Sequence, residues 1–523
     1  MARTSTVLTI VGASAIASFA IYAFYFDYKR RNDVAFRKEL RRQHKKSAKL
    51  GASSSKEATT TPYDLKTALE EIRAEPLPST IEEREKYFLE QLAVGEGVLS
   101  QGPLFELPAA KAFYRALRVY PNTVELIMIL QKSLPGTTFN LVMDLMNFDV
   151  KSRVEEYYDH WPSSEYNVKI EQKPLKNAEP SKPGEPVTKR LTVVATKDFA
   201  PGDVIYTEQP MATALDVDLE GKGTHCSHCL RRLEEFMSIK VPDDPLGVAF
   251  CSKACQLAAT SNYHDLLFGN TPFSVGKDVG PSSPEAKKRR ETAQNALVKF
   301  VEESGKPAPL IVARCIARSI IEQMNKLNPG SASYSFSDHL ERLRYLEIVP
   351  TPNEEAKLVR DIFNAAVPGL EDFLKDDRYS VIKGKVLYNA IGISFGGGRP
   401  DKPKTGERFE SWDLTRTPHG TSRQTGAGFY RLSSYLAHSC DPNVRPSFPK
   451  GTAELHLVAN VAIKAGDELN MCFVRSTPSD NESKEDNRRN RRQELARGWR
   501  FACECDKCTR EGVELQKAST GTS

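Results

Sequence analysis

The sequence predicts a multi-domain protein with an N-terminal transmembrane helix, an all-α domain, and a mostly β domain with helical insertions and four-cysteine zinc sites. Three observations predict this architecture. The chain has 523 residues, which exceeds one ordinary domain. Residues 6–26 form an uncharged, mostly apolar run. Most of the ten cysteines stand in close groups in the second half of the chain, as metal ligands do.

The overall composition excludes two classes of protein. Hydrophobic residues make up 40% of the chain and charged residues 27%, which indicates a soluble bulk and not a polytopic membrane protein. Ten cysteines in this length are too few for a disulfide-dense secreted scaffold.

The net charge of +5 is concentrated near the N-terminus. Residues 29–49 carry ten lysines and arginines against two acids, a net charge of +8. Arg3 and Asp27 cancel, so residues 50–523 carry −3. Because generic nucleic-acid binding needs a basic surface, we expect no nucleic-acid partner for the body of the protein.

Residues 6–26 predict a single membrane span. As a helix these uncharged residues reach roughly 31 Å, enough for one hydrocarbon core. The basic juxtamembrane stretch and linker, residues 27–61, place the bulk of the chain in the cytosol by the positive-inside rule. A cleaved secretory signal and a buried soluble helix are the alternatives. The composition alone suits an outer-mitochondrial membrane and an endoplasmic-reticulum membrane equally.

Residues 62–150 predict an all-α domain, because apolar residues recur at helical spacing in successive segments. Pro108 stands in the first turn of the second segment, and Pro121 follows that segment. Five residues there match the second helix of a tetratricopeptide unit: Ala109, Phe113, Ala116, Leu117 and Pro121. A single copy predicts a short groove and not a solenoid. The polar, proline-rich residues 151–186 predict a linker.

Three segments of this first part carry a resemblance: FLEQLAVGEGVLSQG, AAKAFYRALRVYPN and LIMILQKSLP. Together with the anchor and basic stretch, they resemble the fungal presequence receptors of the mitochondrial outer-membrane import translocase. The resemblance implies an outer-mitochondrial location, presequence peptides as ligands and other translocase subunits as partners. It also implies a TPR-like receptor domain.

In that family an apolar groove binds the apolar face of a basic, amphipathic targeting helix. By position, the groove residues would be Phe88, Leu89, Leu92, Leu126, Ile129 and Leu130. Glu90 and Glu96 would lie near its rim, and Gly97 stands where the family often has a second acid. The alternative is that these apolar residues are simply core.

From residue 187 short β-type runs replace the helical pattern, with turns at Gly202 and Gly466. Four cysteines in two close pairs have zinc-ligand spacing: Cys226, Cys229, Cys251 and Cys255. A second group, Cys503, Cys505 and Cys508, needs a fourth ligand, and Cys440 is the best candidate. We therefore expect two zinc ions per chain.

The segments AHSCDPNVRP, VANVAIKAGDELNMCF and GWRFACECDKC resemble SET lysine methyltransferases split by a MYND-type zinc finger. The resemblance implies that Cys440 completes the second zinc site. The finger is only half present, since Phe268 stands where its last cysteine would be, and only His264 matches its second site. The implied boundaries are 187–223 for the N-terminal SET part, 224–268 for the finger, 269–425 for a helical insertion, 426–475 for the SET core and 490–510 for the post-SET motif.

The SET-type reaction transfers a methyl group from S-adenosylmethionine to a lysine amine, and this sequence departs from the family at three places. Arg190 and Thr192 replace the glycines beside the cofactor. Ala437, before His438, replaces an asparagine of the cofactor site. Phe473 replaces the active-site tyrosine. These departures predict a degenerate enzyme and make the cofactor doubtful, although Tyr430 or Tyr435 are candidates for a substitute hydroxyl.

Three interpretations of the whole chain follow. The first is an anchored import receptor that carries a degenerate SET-like domain. The second is a membrane-tethered, S-adenosylmethionine-dependent protein-lysine methyltransferase. The third is a wrong junction of two neighbouring genes near residues 150–186.

Overall fold

A computed structural model describes most of the chain after residue 61. The described residues are 62–78, 81–120, 123–174, 189–234, 236–269, 283–325, 334–348, 354–367, 376–402, 413–478 and 482–520. The predicted anchor, residues 6–26, and the stretch 27–61 lie outside them. Within these ranges, no helix combines the length and the apolar character that a membrane span requires.

The chain divides into two compact units, which we call the helical unit and the mixed unit. The helical unit comprises Met1–Tyr157 and Gln323–Tyr334, and the mixed unit comprises Tyr158–Glu322 and Ser335–Ser523. The principal helices of the helical unit are α1 (Pro62–Ala74), α2 (Ile81–Leu99), α3 (Glu106–Val119), α4 (Thr123–Ser133) and α5 (Gly136–Glu155). The short helix α6 is Tyr157–His160.

Helix α3 is the centre of the helical unit, and α2 and α5 pack along it. Its alanines and Phe113 are buried, which explains the apolar spacing of this segment. Gly95 lets α2 approach closely, since a Cβ atom at this position would lie 2.8 Å from the ring of Phe113. The tetratricopeptide match thus falls on a packed helix pair, and its repeat geometry stays a prediction.

A polar cluster fastens α1 and α3 to α5. Arg73 donates from Nε to Oδ1 of Asp149 at 2.9 Å, and the Tyr114 hydroxyl donates to the other carboxylate oxygen at 2.6 Å. Burial, with Asp149 adding to it, raises the pKa of Tyr114 well above its usual value, so this hydroxyl stays protonated and a donor.

The mixed unit contains five small sheets in the described residues. Its strands are β1 (Val168–Pro174), β2 (Lys189–Ala195), β3 (Val204–Glu208), β4 (Ala212–Leu215), β5 (Ile239–Lys240), β6 (Ala249–Phe250), β7 (Ile391–Ile393), β8 (Gly426–Phe429), β9 (Ala437–His438), β10 (Val444–Ser447), β11 (Leu455–Ala459) and β12 (Asn470–Met471). The strand orders are β1-β2, β10-β11-β3, β12-β9, β4-β8-β7 and β5-β6. All pairs are antiparallel except β9 with β12, which places Ala437 opposite Asn470.

Helices contribute more to the mixed unit than the prediction of a mostly β domain allows. They are α7 (Lys253–Ala259), α8 (Asp265–Phe268), α9 (Pro284–Ser304), α10 (Ala308–Asn325), α11 (Phe336–Arg342), α12 (Glu354–Ala366), α13 (Asp376–Asn389), α14 (Lys484–Trp499) and α15 (Asp506–Thr520). Their helical spacing was visible within residues 294–325 and 353–375, whereas the basic helix α14 lacks an apolar stripe.

The first strand lies inside the segment predicted as a linker. Strand β1 pairs antiparallel with β2 over its full length, from Val168 opposite Ala195 to Pro174 opposite Lys189. The ring of Tyr166 also packs against Tyr206, with centroids 5.9 Å apart. The structured mixed unit therefore begins well before residue 187. The sequence did not reveal this strand, because only Val168 and Ile170 of its residues are buried and the others are mostly polar.

Two turns with the same hydrogen bond close strand connections, as the sequence predicted. The side chain of Asp203 accepts from the N–H of Ala200 at 2.7 Å, and the side chain of Asp467 accepts from that of Lys464 at 2.8 Å. The glycine before each aspartate has φ of +93°, a left-handed conformation that glycine adopts without strain.

Candidate functional site

The first cysteine group forms a compact sulfur cluster in the mixed unit. Cys226 and Cys229 lie on a tight turn, in which Leu230 donates its N–H to the carbonyl of Cys226 at 2.9 Å. Cys251 and Cys255 flank the start of α7, where Ser252 caps the helix and accepts from the N–H of Cys255 at 3.2 Å.

The four sulfurs of this group lie within 4.8 Å of one another. The Sγ atom of Cys251 is 3.5 Å from that of Cys229 and 3.6 Å from that of Cys255. Tetrahedral zinc with Zn–S bonds of about 2.3 Å sets sulfurs about 3.8 Å apart, so the group could hold zinc.

The charge state of this cluster favours a bound cation. Hydrogen bonds from Cys229 and Cys255 lower the pKa of Cys226, whereas the ionised neighbour Cys226 raises the pKa of Cys229. One thiolate therefore raises the free energy that is needed to ionise the next cysteine. A divalent cation is needed for all four to ionise together.

The second group also converges, although Cys440 lies far from its partners in the sequence. The sulfurs of Cys440, Cys503, Cys505 and Cys508 lie within 4.8 Å of one another. The Sγ atom of Cys440 is 3.8 Å from that of Cys503 and 3.6 Å from that of Cys508. This group could hold a second zinc ion in the same tetrahedral way.

His438 joins this second cluster to the end of β12. Its Nδ1 accepts the backbone N–H of Phe473 at 3.1 Å, so the ring proton is on Nε2, which lies 3.3 Å from Sγ of Cys440. Burial lowers the pKa of His438 to about 4, which keeps the ring neutral and this proton assignment fixed. Such a contact orients a metal-binding sulfur.

Arginines of α14 hold the C-terminal cysteine motif in place. Arg488 donates to the carbonyl of Cys508 at 3.0 Å, and Arg492 donates to the carbonyl of Cys503 at 2.6 Å. Arg491 is buried and pairs with Glu511 on α15. One basic helix thus forms hydrogen bonds with both ends of the motif.

His264, the residue that matches the second site of the predicted finger, is paired with a carboxylate. His264 Nε2 lies 2.6 Å from Oδ2 of Asp244, and both side chains are buried. The other oxygen of Asp244 accepts the N–H groups of Leu246 and Val248 at 3.0 and 3.2 Å. The His264 ring contacts Phe268 with centroids 5.5 Å apart. Hydrogen bonds and apolar packing thus hold His264 and Asp244 in place.

The two side chains at the predicted glycine positions of the SET family bind one carboxylate. Arg190 and Thr192 donate to the same oxygen of Glu468, at 2.6 and 2.7 Å. Asn443 is likewise committed, because its amide donates to the Glu468 carbonyl and its oxygen accepts the N–H of Asn470. Glu468 and Asn443 therefore connect β2, β12 and the residue that directly precedes β10.

Phe473 and Ala437 are both buried. The Phe473 ring contacts His438 and Trp499, with centroids 5.1 and 5.5 Å apart, and the guanidinium of Arg416 lies 4.1 Å from its centroid. Position 473 is therefore enclosed by side chains of this chain.

Each candidate for a substitute hydroxyl has a hydrogen-bond partner of its own. Tyr430 is fully buried and donates to the carbonyl of Ala453 at 2.6 Å. The Tyr435 hydroxyl lies 3.3 Å from that of Tyr158, and its ring packs against Trp161. Tyr158 and Trp161 belong to the segment 151–186, so this part of the predicted linker docks on the SET-like region.

The six candidate groove residues of the helical unit separate into three classes. Leu126 and Leu130 are only 3% exposed and belong to the core. Phe88 and Leu92 are half-buried against that core. Leu89 and Ile129 are 59% and 49% exposed. Both candidate rim acids, Glu90 and Glu96, are also exposed.

Comparison with known proteins assigns both parts of the chain. Residues 9–159 match the model of the MAS20 protein import receptor family, and residues 190–474, more than half the chain, match that of the SET domain. The chain belongs to the SET domain family and carries a MAS20 receptor domain. Both resemblances drawn from the sequence motifs are thereby confirmed.

Named relatives agree with this assignment. The mitochondrial import receptor subunit tom20 of Neurospora crassa is 36% identical over 156 residues, which are 29% of this chain and 84% of that protein. TOM20 of Saccharomyces cerevisiae is 37% identical over 26% of this chain and 75% of its own length. The human protein-lysine N-trimethyltransferase SMYD5 is 22% identical over 61% of this chain and 84% of its own length.

Sequence reasoning missed three features of the mixed unit. Arg416 lies in a segment without a motif, and nothing in its neighbours marks it. Asp244 follows an ordinary turn sequence, so its pairing with His264 needed the fold. The arginines of α14 carried a signal that was overlooked, because a basic run directly precedes the cysteine motif.

Proposed function

We propose that this chain is an import receptor of the mitochondrial outer membrane whose helical unit binds amphipathic presequences of precursor proteins. Residues 6–26 anchor it by a single span, the bulk faces the cytosol, and other translocase subunits are its partners. The supporting observation is a pair of exposed apolar side chains, Leu89 and Ile129, on a domain matching 84% of the Neurospora receptor.

The groove assignment rests on the contrast among its six residues. Leu89 and Ile129 offer apolar surface to a ligand, whereas Leu126 and Leu130 support it from the core. The exposed carboxylates of Glu90 and Glu96 favour a basic peptide over an acidic one. A short amphipathic helix needs this combination of apolar contact and opposite charge.

Peptide titration tests the receptor role. A fluorescent, basic, amphipathic presequence peptide is titrated into the full chain in detergent. Leu89→Ser and Ile129→Ser should each weaken binding about tenfold, because each removes exposed apolar contact without opening the core. Val94→Ser is the matched control, since Val94 is 49% exposed on the same helix as Leu89 and outside the proposed groove. An equal loss of peptide affinity in all three variants would contradict the groove assignment. Unchanged affinity in Leu89→Ser and Ile129→Ser would contradict it as well.

We further propose that each four-cysteine group binds one zinc ion and that the SET domain transfers no methyl group. S-adenosylmethionine fits the residues present poorly, because three departures from the family weaken its site. Arg190 and Thr192 carry side chains where the family's glycines let the backbone approach the cofactor. Ala437 lacks the amide of the family's asparagine, and Phe473 lacks the tyrosine hydroxyl.

The second candidate function, a membrane-tethered protein-lysine methyltransferase, is favoured by the SMYD5 match over 84% of that protein. Calorimetric titration of S-adenosylmethionine into the zinc-loaded full chain separates the two. We expect no binding at micromolar concentration. Micromolar binding together with methyl transfer to protein would establish the methyltransferase instead.

A further inference from the structure

Arg416 is a buried cation inside the SET domain. Its side chain is fully buried, at 1% exposure. Its Nε atom donates to the Tyr388 carbonyl at 2.9 Å, and its terminal nitrogens donate to the Ser434 carbonyl at 3.1 Å and the Asn389 side chain at 3.0 Å. These acceptors are all neutral, and among the described residues no carboxylate forms an ion pair with Arg416. Within the part of the chain that the structure describes, neutral acceptors alone therefore bind the guanidinium.

Two aromatic rings complete the surroundings of this guanidinium. It lies 4.1 Å from the ring centroid of Phe473 and 5.0 Å from that of Tyr388. Such contacts partly offset the loss of hydration of a buried cation. Burial lowers the pKa of Arg416 only to about 10, so the side chain remains charged at neutral pH.

Hydrogen bonds tie Arg416 and its neighbour Thr417 to the segments that carry the two altered positions. Thr417 donates its N–H to the carbonyl of Phe473 at 3.2 Å. Ser434, whose carbonyl accepts from Arg416, lies three residues before Ala437. A fixed cation therefore stands between the segments that in SET methyltransferases supply the cofactor asparagine and the active-site tyrosine.

We propose that Arg416 excludes S-adenosylmethionine from this SET domain by charge, because its guanidinium repels the positive sulfonium of the cofactor. This inference rests on the proposed absence of methyl transfer and names the residue that enforces it. Repulsion between like charges is strong where water is excluded. The site therefore discriminates by ligand charge and disfavours the cationic cofactor relative to a neutral adenosine thioether of the same shape.

S-adenosylhomocysteine is that neutral probe, since it lacks the methyl group and the sulfonium charge. Both ligands are titrated calorimetrically into the zinc-loaded full chain. The wild-type protein should bind S-adenosylhomocysteine at least tenfold more tightly than S-adenosylmethionine. Arg416→Met and Arg416→Gln remove the charge and should bring the two affinities within about threefold. Arg416→Lys keeps the charge and should preserve the discrimination.

Arg344→Met is the matched control, because Arg344 is an exposed cation that contacts Tyr388 at 3.4 Å. It should leave the affinity ratio unchanged. Tryptophan fluorescence and zinc content report whether each variant folds. Arg416→Gln retains hydrogen-bond donors for the carbonyls and guards against a folding failure of Arg416→Met. If no neutral variant folds, the test is the affinity of the wild type for S-adenosylhomocysteine divided by its affinity for S-adenosylmethionine. A ratio of ten or more supports the proposal, and a smaller ratio overturns it.

Two outcomes separate this proposal from the proposed function. If the wild-type chain binds S-adenosylmethionine as tightly as S-adenosylhomocysteine and transfers methyl groups, both fail. If neither ligand binds the wild type or the folded neutral variants, or if the discrimination persists in those variants, Arg416 is not the excluding residue. The proposed absence of methyl transfer then stands on Arg190, Thr192, Ala437 and Phe473.

Discussion

The Nε2 atom of His438 lies 3.3 Å from the sulfur of Cys440, and the Nδ1 atom of the same ring accepts the N–H of Phe473. One imidazole thereby connects the second sulfur cluster to the position where SET enzymes carry their tyrosine. The residue that looked like part of a degenerate cofactor site also positions a candidate metal ligand.

Replacing His438 should therefore weaken metal binding at this cluster. We expect the wild-type chain to hold two zinc ions and His438→Ala to release one of them to a chelator about 10–100-fold more readily, because Cys440 loses its donor. Zinc release is followed with a chromogenic chelator. His456→Ala is the control, since His456 pairs with Glu454 at 2.8 Å and touches neither cluster. Equal release by the two variants would contradict the assigned contact.

The Asp244–His264 pair should stabilise the finger without any metal. Asp244→Ala leaves two buried N–H groups and the imidazole without their acceptor, so the mixed unit should lose about 2–4 kcal/mol of unfolding free energy. The zinc content should remain two. Urea unfolding followed by tryptophan fluorescence measures the change, since Trp161, Trp412 and Trp499 all follow residue 157.

Asp243→Asn is the neighbouring control for this pair, because Asp243 is exposed and asparagine tolerates its left-handed backbone. It should change stability little. A zinc ion lost together with Asp244 would show that this residue supports the first cluster directly, contrary to the expectation.

Local signals in the sequence were sufficient for the first cysteine cluster, for Cys503, Cys505 and Cys508 of the second, and for the two glycine turns. The cysteine pairs are close in the chain, and the turns need a glycine with positive φ followed by aspartate. The residues alone made Cys440 the best candidate for the fourth ligand, and the family resemblance completed the assignment, because no local pattern connects Cys440 to Cys503. Strand β1 was missed because its exposed face is charged and its partner strand, not its own composition, makes it a strand.

The buried environment of functional residues was beyond sequence reasoning. Leu126 and Leu130 share an apolar pattern with Ile129, and only the packing of α4 shows which of them are core. Arg416 is an ordinary arginine in sequence, and its burial against Phe473 arises from contacts with separate segments of the chain. Helical periodicity identifies an apolar face but not what covers it.

Asp216 should make the stability of the mixed unit fall as the pH rises. Burial is the main cause that raises its pKa to about 7, and Gln424 opposes the shift by donating to its Oδ1 at 3.0 Å. The folded chain thus holds a proton at pH 6 that the unfolded chain has already released. Because the folded state binds more protons, stability decreases between pH 6 and pH 8.

The expected size of this effect is about 1.4 kcal/mol between pH 6 and pH 8. It is measured as the difference between the wild type and Asp216→Asn, so that titration of the zinc thiolates cancels. Asparagine keeps the acceptor for Gln424 but cannot ionise, and this variant should gain stability relative to the wild type as the pH rises. Parallel stability curves for the two proteins would show that Asp216 ionises normally in the fold.

Two glycines of α2 should respond in opposite directions to alanine. A Cβ atom at Gly95 would lie 2.8 Å from the Phe113 ring, whereas at Gly97 it would have nothing within 4 Å. Alanine favours a helix over glycine by about 1 kcal/mol, and overpacking costs about 1–3 kcal/mol. Gly97→Ala should therefore stabilise the helical unit by up to about 1 kcal/mol, and Gly95→Ala should destabilise it.

Hydrogen exchange measures this difference locally, because the tryptophans of the chain all lie outside residues 1–157. Peptides from α3 should exchange faster in Gly95→Ala and no faster in Gly97→Ala than in the wild type. Comparing the two variants separates the effect of packing from that of helix propensity, since both changes replace glycine with alanine on one helix. Similar protection in both variants would mean that α2 does not press on Phe113, and the close α2–α3 pair would then lose its physical basis.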